Sequence, residues 1–286
     1  MKYYILYNPL AGHGSHDEKL NSLKSHLNGE CVEYYVTDIA DYQQLLSTLE
    51  ADDKIVISGG DGTINRFINA IDPELITNDV LYYASGNGND FLHDLDKKPG
   101  CEPFKINQYL KDLPVVTIKG KSYRYINGIG YGLDGYCCEE GDRLKAANKK
   151  VDYTMIAIKG LLYAFKPTNA TINVDGKEYK FKKVWIAPTM NGRFYGGGMM
   201  ATPDQDRLGD GSQTVLVLHR SGKLKTLTIF PSIFKGEHVK HEKVVAIHEG
   251  HEISVRFDRP TALQIDGETI LGVTEYTVHA KERVTP

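Results

Sequence analysis

The apolar positions of the first third of the chain come in short runs, separated by stretches that repeat every three to four residues. "YYILYN" (3–8), "CVEYYV" (31–36), "KIVIS" (54–58) and "VLYYA" (80–84) have strand length and strand composition. Between them Leu20, Leu23 and Leu27, then Tyr42, Leu45, Leu46 and Leu49, then Ile64, Phe67, Ile68 and Ile71 each line one face of a helix. Gly29 follows the first as a stop and Asp41 precedes the second as a cap. Strands alternating with helices predict right-handed crossovers and a parallel sheet.

From about residue 114 the pattern changes. Strand-like runs follow one another: "VVTIKG", "SYRYING", "NATINVDGKEYKFKKVWIAP", "QTVLVLH", "KVVAIHE", "EISVRF", "TALQID" and "YTVHA". Turn signals separate them, with Asn107–Leu113 before the first and Asp175-Gly176 inside one hairpin. One helix interrupts, with Val151, Met155, Ile158, Leu162 and Phe165 on a single face. The expectation is an α/β domain over 1–113 and a mostly antiparallel β domain over 114–286, its last strand free to return to the first domain.

The chain has 286 residues, 41% hydrophobic and 25% charged, enough to bury a substantial core. A net charge of -3 gives no support for strong nucleic-acid binding, which usually needs a basic face, and leaves a local basic patch open. The scattered Cys31, Cys101 and Cys137-Cys138 have no metal-ligand spacing and read as reduced thiols of a cytoplasmic protein. The N-terminus has no cleavage site of the secretory kind. The most apolar helical stretch, 153–165, is too short to span a bilayer and contains Lys159, so a membrane would be met from the surface only.

Candidate chemistry sits in the glycines. "GGDGT" (59–63) ends one predicted strand and opens a helix, while "NPLAGHG" (8–14) and "SGNGND" (85–90) follow two others. In a parallel sheet these loops share one edge, where ligands bind. Bare backbone and helix N-termini there can meet a phosphate. No P-loop is present. Gly130-Tyr131-Gly132-Leu133-Asp134-Gly135 has the spacing of a dinucleotide fingerprint, but no strand returns until 170, so the required βαβ unit is missing.

With "NPLAG" (8–12), "GGDGTIN" (59–65), "GNGNDF" (86–91), "NGIGYGLDG" (127–135), "NGRFYGGGMMATP" (191–203), "LGDG" (208–211) and "DGE" (266–268) in order, the chain resembles the diacylglycerol kinase catalytic family, in its bacterial lipid-kinase branch. The resemblance implies an NAD-kinase-like α/β nucleotide domain followed by a β-sandwich carrying a lipid cleft. It implies that a lipid hydroxyl attacks the γ-phosphate of ATP, with Mg²⁺ neutralising charge. Nucleotide contacts would come from Asn8, Pro9, Leu10, Ala11 and Gly12, from Thr37, from Gly59, Gly60, Asp61, Gly62, Thr63 and Asn65, and from Asn87, Asn89 and Asp90. Asp61 would join an Mg²⁺ network through water. Asp266 and Glu268 would supply the catalytic base, and which of the two takes the proton stays open. A further Mg²⁺ would sit on the Asp210 carboxylate and the carbonyls of Arg207 and Ser212. The partners implied are a lipid alcohol and, transiently, the inner membrane surface, with a homodimer among the assemblies allowed.

The sequence departs from the family at Arg66, where Glu is usual, and at Asn87, where Thr is usual. An NAD-kinase-type enzyme shares the "GGDGT" loop, and a weakly catalytic nucleotide-binding regulator is the reading outside kinases. The "GNGNDF" and "DGE" segments argue against the first, and the retained Asp61, Asp210, Asp266 and Glu268 against the second. His238, His241, His248 and His251 read as surface residues, and Asp175-Gly176 as a turn and no more.

Overall fold

A computed structural model describes residues 1–8, 16–86 and 88–283. The chain divides into two compact units, 1–113 and 114–286.

The first unit contains β1 (Lys2–Tyr7), α1 (His16–Lys24), β2 (Glu30–Tyr35), α2 (Tyr42–Ser47), β3 (Lys54–Gly59), α3 (Asp61–Ala70), β4 (Asp79–Ala84), α4 (Asp90–Asp94), β5 (Phe104–Lys105) and α5 (Asn107–Leu110). Its sheet runs β2-β1-β3-β4-β5, parallel except for the short edge strand β5. Ile5, Val56, Leu20 and Leu23 pack one face, and buried Ile57, Ile64, Phe67 and Phe91 come from the strands and helices beside it. Asp41 caps α2, accepting from the Gln44 amide at 3.0 Å. The stretch 107–113, expected as a turn, begins with α5, where the Asn107 side chain accepts from the Val80 amide at 2.8 Å and so ties the helix to β4. Because β2 and β3 flank β1 on opposite sides, the carboxyl end of β1 is the switch point at which doubly wound sheets open a ligand crevice.

The second unit contains β6 (Val115–Ile118), β7 (Lys121–Arg124), β8 (Gly128–Tyr131), α6 (Leu133–Ala146), α7 (Tyr153–Lys159), β9 (Thr168–Val174), β10 (Lys177–Val184), β11 (Thr189–Met190), β12 (Phe194–Tyr195), β13 (Met199–Met200), β14 (Gln213–Leu218), α8 (Lys223–Ile229), β15 (Val245–Gly250), β16 (Glu252–Ile265) and β17 (Glu268–His279). It is an antiparallel β-sandwich. "EISVRF" and "TALQID", expected as two strands, are the single strand β16. Residues 253–257 of β16 pair with β9 and residues 263–265 with β8, while β17 runs along the other side. Pro260 cannot donate to a ladder, and the β16–β17 register shifts between Arg256 and Thr261. A strand that bends and changes partner is how sandwiches turn a corner. Val116, Tyr131, Ile172, Val255, Leu263 and Tyr276 fill the core.

Two expectations are corrected here, and the role of one glycine string is fixed. The last strand stays in the second unit, paired with β16 and β6. The helical excursion is α6 and α7 with a π-turn at Gly160–Ala164, and α8 adds another helix. The glycine string at 130–135 serves packing: a Cβ on Gly135 would lie 1.8 Å from the Ala262 carbonyl, so only glycine lets α6 rest on β16.

Candidate active site

In the first unit β1, β3 and β4 are neighbouring parallel strands. Gly60 precedes α3, and Asp61 is that helix's first residue. The buried Asp61 carboxylate accepts two amides at the start of α4, Asp90 N at 2.8 Å and Phe91 N at 3.2 Å. The Gly59 carbonyl accepts from the amides of Ser85 and Gly86, at 3.0 and 3.1 Å. Asn8 Nδ2 donates to Thr63 Oγ1 at 3.2 Å. The glycines therefore do more than face outward. A Cβ on Gly60 would meet the Gly88 carbonyl at 2.9 Å, and one on Gly86 would meet Gly60 Cα at 2.5 Å. Bare backbone is needed where the two loops touch, so a Gly60 variant would shift the loops as well as any ligand.

Two features fit a polyphosphate nucleotide. The N-terminus of α3, a ten-residue helix, carries a partial positive charge at the switch-point edge. Asn89 donates through Nδ2 to the Gly86 carbonyl at 3.0 Å, while its buried Oδ1 has no partner among the described residues, a donor-seeking atom beside the loop. Asn65 is buried, whereas Thr37 is exposed and bonds Asp38 Oδ1 at 2.9 Å. Pro9, Leu10, Ala11, Gly12 and Asn87 lie outside the described residues.

In the second unit the "NGRF" and "DGE" motifs, together with Arg207, converge on one buried segment, residues 126–128, at the start of the "NGIGYGLDG" motif. Asp266 Oδ2 accepts from Ile126 N at 2.7 Å, and Oδ1 accepts from Asn127 N at 2.9 Å and Gly128 N at 3.0 Å. The Asp266 amide returns a bond to the Gly128 carbonyl at 3.1 Å. From the "NGRF" motif, the amides of Asn191 and Gly192 donate to the Asn127 carbonyl, and Asn191 Nδ2 donates to the Ile126 carbonyl. The buried Arg207 guanidinium bonds the Ile126 carbonyl and Asn127 Oδ1. Gln213 joins the set, accepting from Tyr125 Oη at 2.8 Å and donating to Asn191 Oδ1 at 3.1 Å. Asp266 thus sits in a backbone seat, and Glu268, at the start of β17, is exposed.

Asp210 accepts from the Ser212 amide at 2.9 Å, and this contact with the Ser212 hydroxyl and amide holds its carboxyl below the usual range. Asp134 is buried beside the Tyr195 hydroxyl at 2.7 Å, and burial pushes its carboxyl up to about 7. His238, expected at the surface, is buried, with Nε2 2.9 Å from the Ala201 carbonyl, and burial lowers its imidazole below the usual histidine range.

The diacylglycerol kinase catalytic domain model matches residues 2–117, and the model described as a YegS C-terminal NAD kinase beta sandwich-like domain matches 127–286. The chain belongs to the diacylglycerol kinase family, in its bacterial lipid-kinase branch. A diacylglycerol kinase of Mycobacterium tuberculosis is 26% identical over 256 residues, covering 85% of this chain and 81% of its own. A diacylglycerol kinase of Bacillus subtilis is 24% identical, covering 76% and 71%. A crystal structure of a diacylglycerol kinase from Bacillus anthracis shares the fold with a TM-score of 0.63 at 17% identity, covering 98% of this chain and 94% of that one. This kinase is accordingly a phosphotransferase.

Sequence reasoning passed over Asn127, Asn191, Gln213 and the Arg207 side chain, which build the seat of Asp266. Asn127 and Asn191 do lie in quoted motifs. Arg207 was singled out for its carbonyl alone, and its nearly full burial is not visible in a polar "DQDRLGDGS" stretch.

Proposed function

We propose that this kinase transfers the γ-phosphoryl group of ATP to the hydroxyl of diacylglycerol or a similar lipid alcohol, giving a phospholipid such as phosphatidic acid. The observation that carries the reading is the seat of Asp266: the backbone of residues 126–128, itself held by the "NGRF" motif and the buried Arg207, fixes one partly exposed carboxylate. Phosphoryl transfer depends mainly on positioning and charge stabilisation, which rewards such rigidity. Asp266 would orient the acceptor hydroxyl and receive its proton, with Glu268 as the alternative acceptor two residues on. Gly59 to Thr63, Asn8 and Asn89 would bind the nucleotide. Asp61 and Asp90 are the carboxylates suited to an Mg²⁺ that accompanies it, which would supply neutralisation of phosphate charge.

A bilayer-borne substrate also suits the surface of the second unit. Among the described residues no helix is long and apolar enough to cross a membrane. Tyr163 and Leu224 are 79% and 77% exposed, and Lys223 joins their two segments by donating to the Leu162 carbonyl at 2.6 Å. Lys166 and Lys225 are exposed beside them. Exposed apolar side chains with exposed lysines close by in the chain match an anionic lipid surface. The test is transfer of label from γ-labelled ATP to diacylglycerol in anionic vesicles, with NAD offered in parallel. Labelled lipid is expected; labelled NADP with unlabelled lipid would favour the NAD-kinase reading instead.

A further inference from the structure

The 207–212 loop is where family resemblance implies a divalent cation, on the Asp210 carboxylate and the carbonyls of Arg207 and Ser212. In this chain those oxygens are engaged by protein donors. The Arg207 carbonyl accepts from Arg283 Nη1 at 2.6 Å. The Ser212 carbonyl accepts from Gln205 Nε2 at 3.0 Å and Gln213 Nε2 at 3.2 Å. Asp210 Oδ1 accepts from the Ser212 amide, and the Asp210 carbonyl accepts from the Arg283 amide at 2.7 Å. A guanidinium on the Arg207 carbonyl would repel a divalent ion sharing that oxygen. The loop as folded does not fit the ion.

We propose that Arg283 stands in for the cation, and that Arg283 and Arg207 form a strut that positions Asp266. The strut is continuous. Arg283 grips the loop twice, through its guanidinium on the Arg207 carbonyl and through its backbone amide on the Asp210 carbonyl. The Arg207 side chain, 5% exposed, runs on from there to the Ile126 carbonyl and to Asn127 Oδ1 at 3.0 Å. The amides of the same two residues, with that of Gly128, hold the Asp266 carboxylate. A guanidinium keeps its charge at every accessible pH and donates in a fixed fork, so on the Arg207 carbonyl it supplies the positive charge that an ion would bring. Unlike an ion, it cannot be removed by chelation. Arg283 and Arg207 touch no reacting atom in this arrangement; they are positioning residues.

The test has two arms on the full chain. The first is thermal unfolding in EDTA and in millimolar Mg²⁺, without substrate. The wild type is expected to melt at one temperature in both, and Arg283→Gln to melt about 3–6 °C lower. A wild-type rise in Mg²⁺ that Asp210→Asn abolishes would place the ion in the loop and overturn the proposal. A rise that Asp210→Asn leaves intact comes from another site and agrees with it. The second arm rests on the kinase reading. Arg283→Gln and Arg207→Lys should lower kcat for lipid phosphorylation about tenfold or more, with KM for ATP unchanged. Arg283→Lys, which keeps the charge, should recover part of both losses. Wild-type melting and kcat in Arg283→Gln would also overturn the strut. Should the wild type phosphorylate no lipid, the kinase reading fails while the melting arm still judges the strut.

Discussion

Two Asp-Gly turns of the second unit share a backbone and differ in what they hold. Asp175 and Asp266 have φ of 48° and 46°, and the glycines after them 82° and 96°. Both carboxylates accept backbone amides from a distant segment. Asp175, read from sequence as a turn and no more, accepts from His251 N at 3.0 Å and Glu252 N at 2.8 Å, latching the β9–β10 hairpin to the β15–β16 junction. Asp266 latches residues 126–128. The difference is burial. Asp175 and Glu252 are exposed, so water can replace a lost bond. Ile126 and Asn127 are 0% and 2% exposed, so amides released there have no substitute partner. The same dipeptide is a replaceable clip in one place and an anchor in the other.

Breaking the anchor should have the largest effect. Asp266→Asn puts an amide NH₂ against backbone N–H donors and removes a proton acceptor. Lipid phosphorylation measured well below the melting point should fall about 10²–10⁴-fold, and denaturant unfolding should show a loss of about 1–3 kcal/mol. Asp134 sharpens the contrast as a buried carboxyl that accepts from the Tyr195 hydroxyl rather than from a ring of amides. Its folded value of about 7 lies above the ordinary 3.8, so between these the native state holds a proton that the unfolded chain has lost. Its contribution is complete below about pH 4 and disappears as pH rises to about 7. Unfolding curves across that range should show the wild type losing on the order of a few kcal/mol relative to Asp134→Asn. The turn glycines come next. A Cβ meets nothing within 4 Å at Gly176 or Gly267, so Gly→Ala at either should cost about 1–2 kcal/mol of backbone strain, alike at both. A much larger loss of stability at Gly267 would mean that the turns are not equivalent backbones. Asp175→Asn should do least, below about 1 kcal/mol by melting, with activity unchanged.

The parallel sheet was legible because its strands are near-continuous apolar runs and its helices keep a regular stripe. Helix α6 was not, since its residues "LDGYCCEEGDRLKA" bury Leu133, Asp134, Gly135 and Gly141, a face made mostly of residues that no hydrophobic pattern marks. Strand β16 read as two because Asp258-Arg259-Pro260 looks like a turn, and only its change of partner shows that the chain runs on. The site was legible as a set of motifs but not as a mechanism of support. The donors that hold Asp266 and Asp61 are backbone amides, which carry no letter in the sequence. Arg283, far along the chain from the loop it grips, belonged to no motif at all.

The most direct test of the account is to compare Asp266→Asn with Asp175→Asn in one assay. Label from γ-labelled ATP is followed into diacylglycerol, and ATP binding is measured on the same preparations. The account predicts a loss of about 10²–10⁴-fold in transfer for Asp266→Asn with ATP affinity retained, and near wild-type transfer for Asp175→Asn. Equal, small effects of the two substitutions would contradict it and leave the 266–267 turn as a second clip.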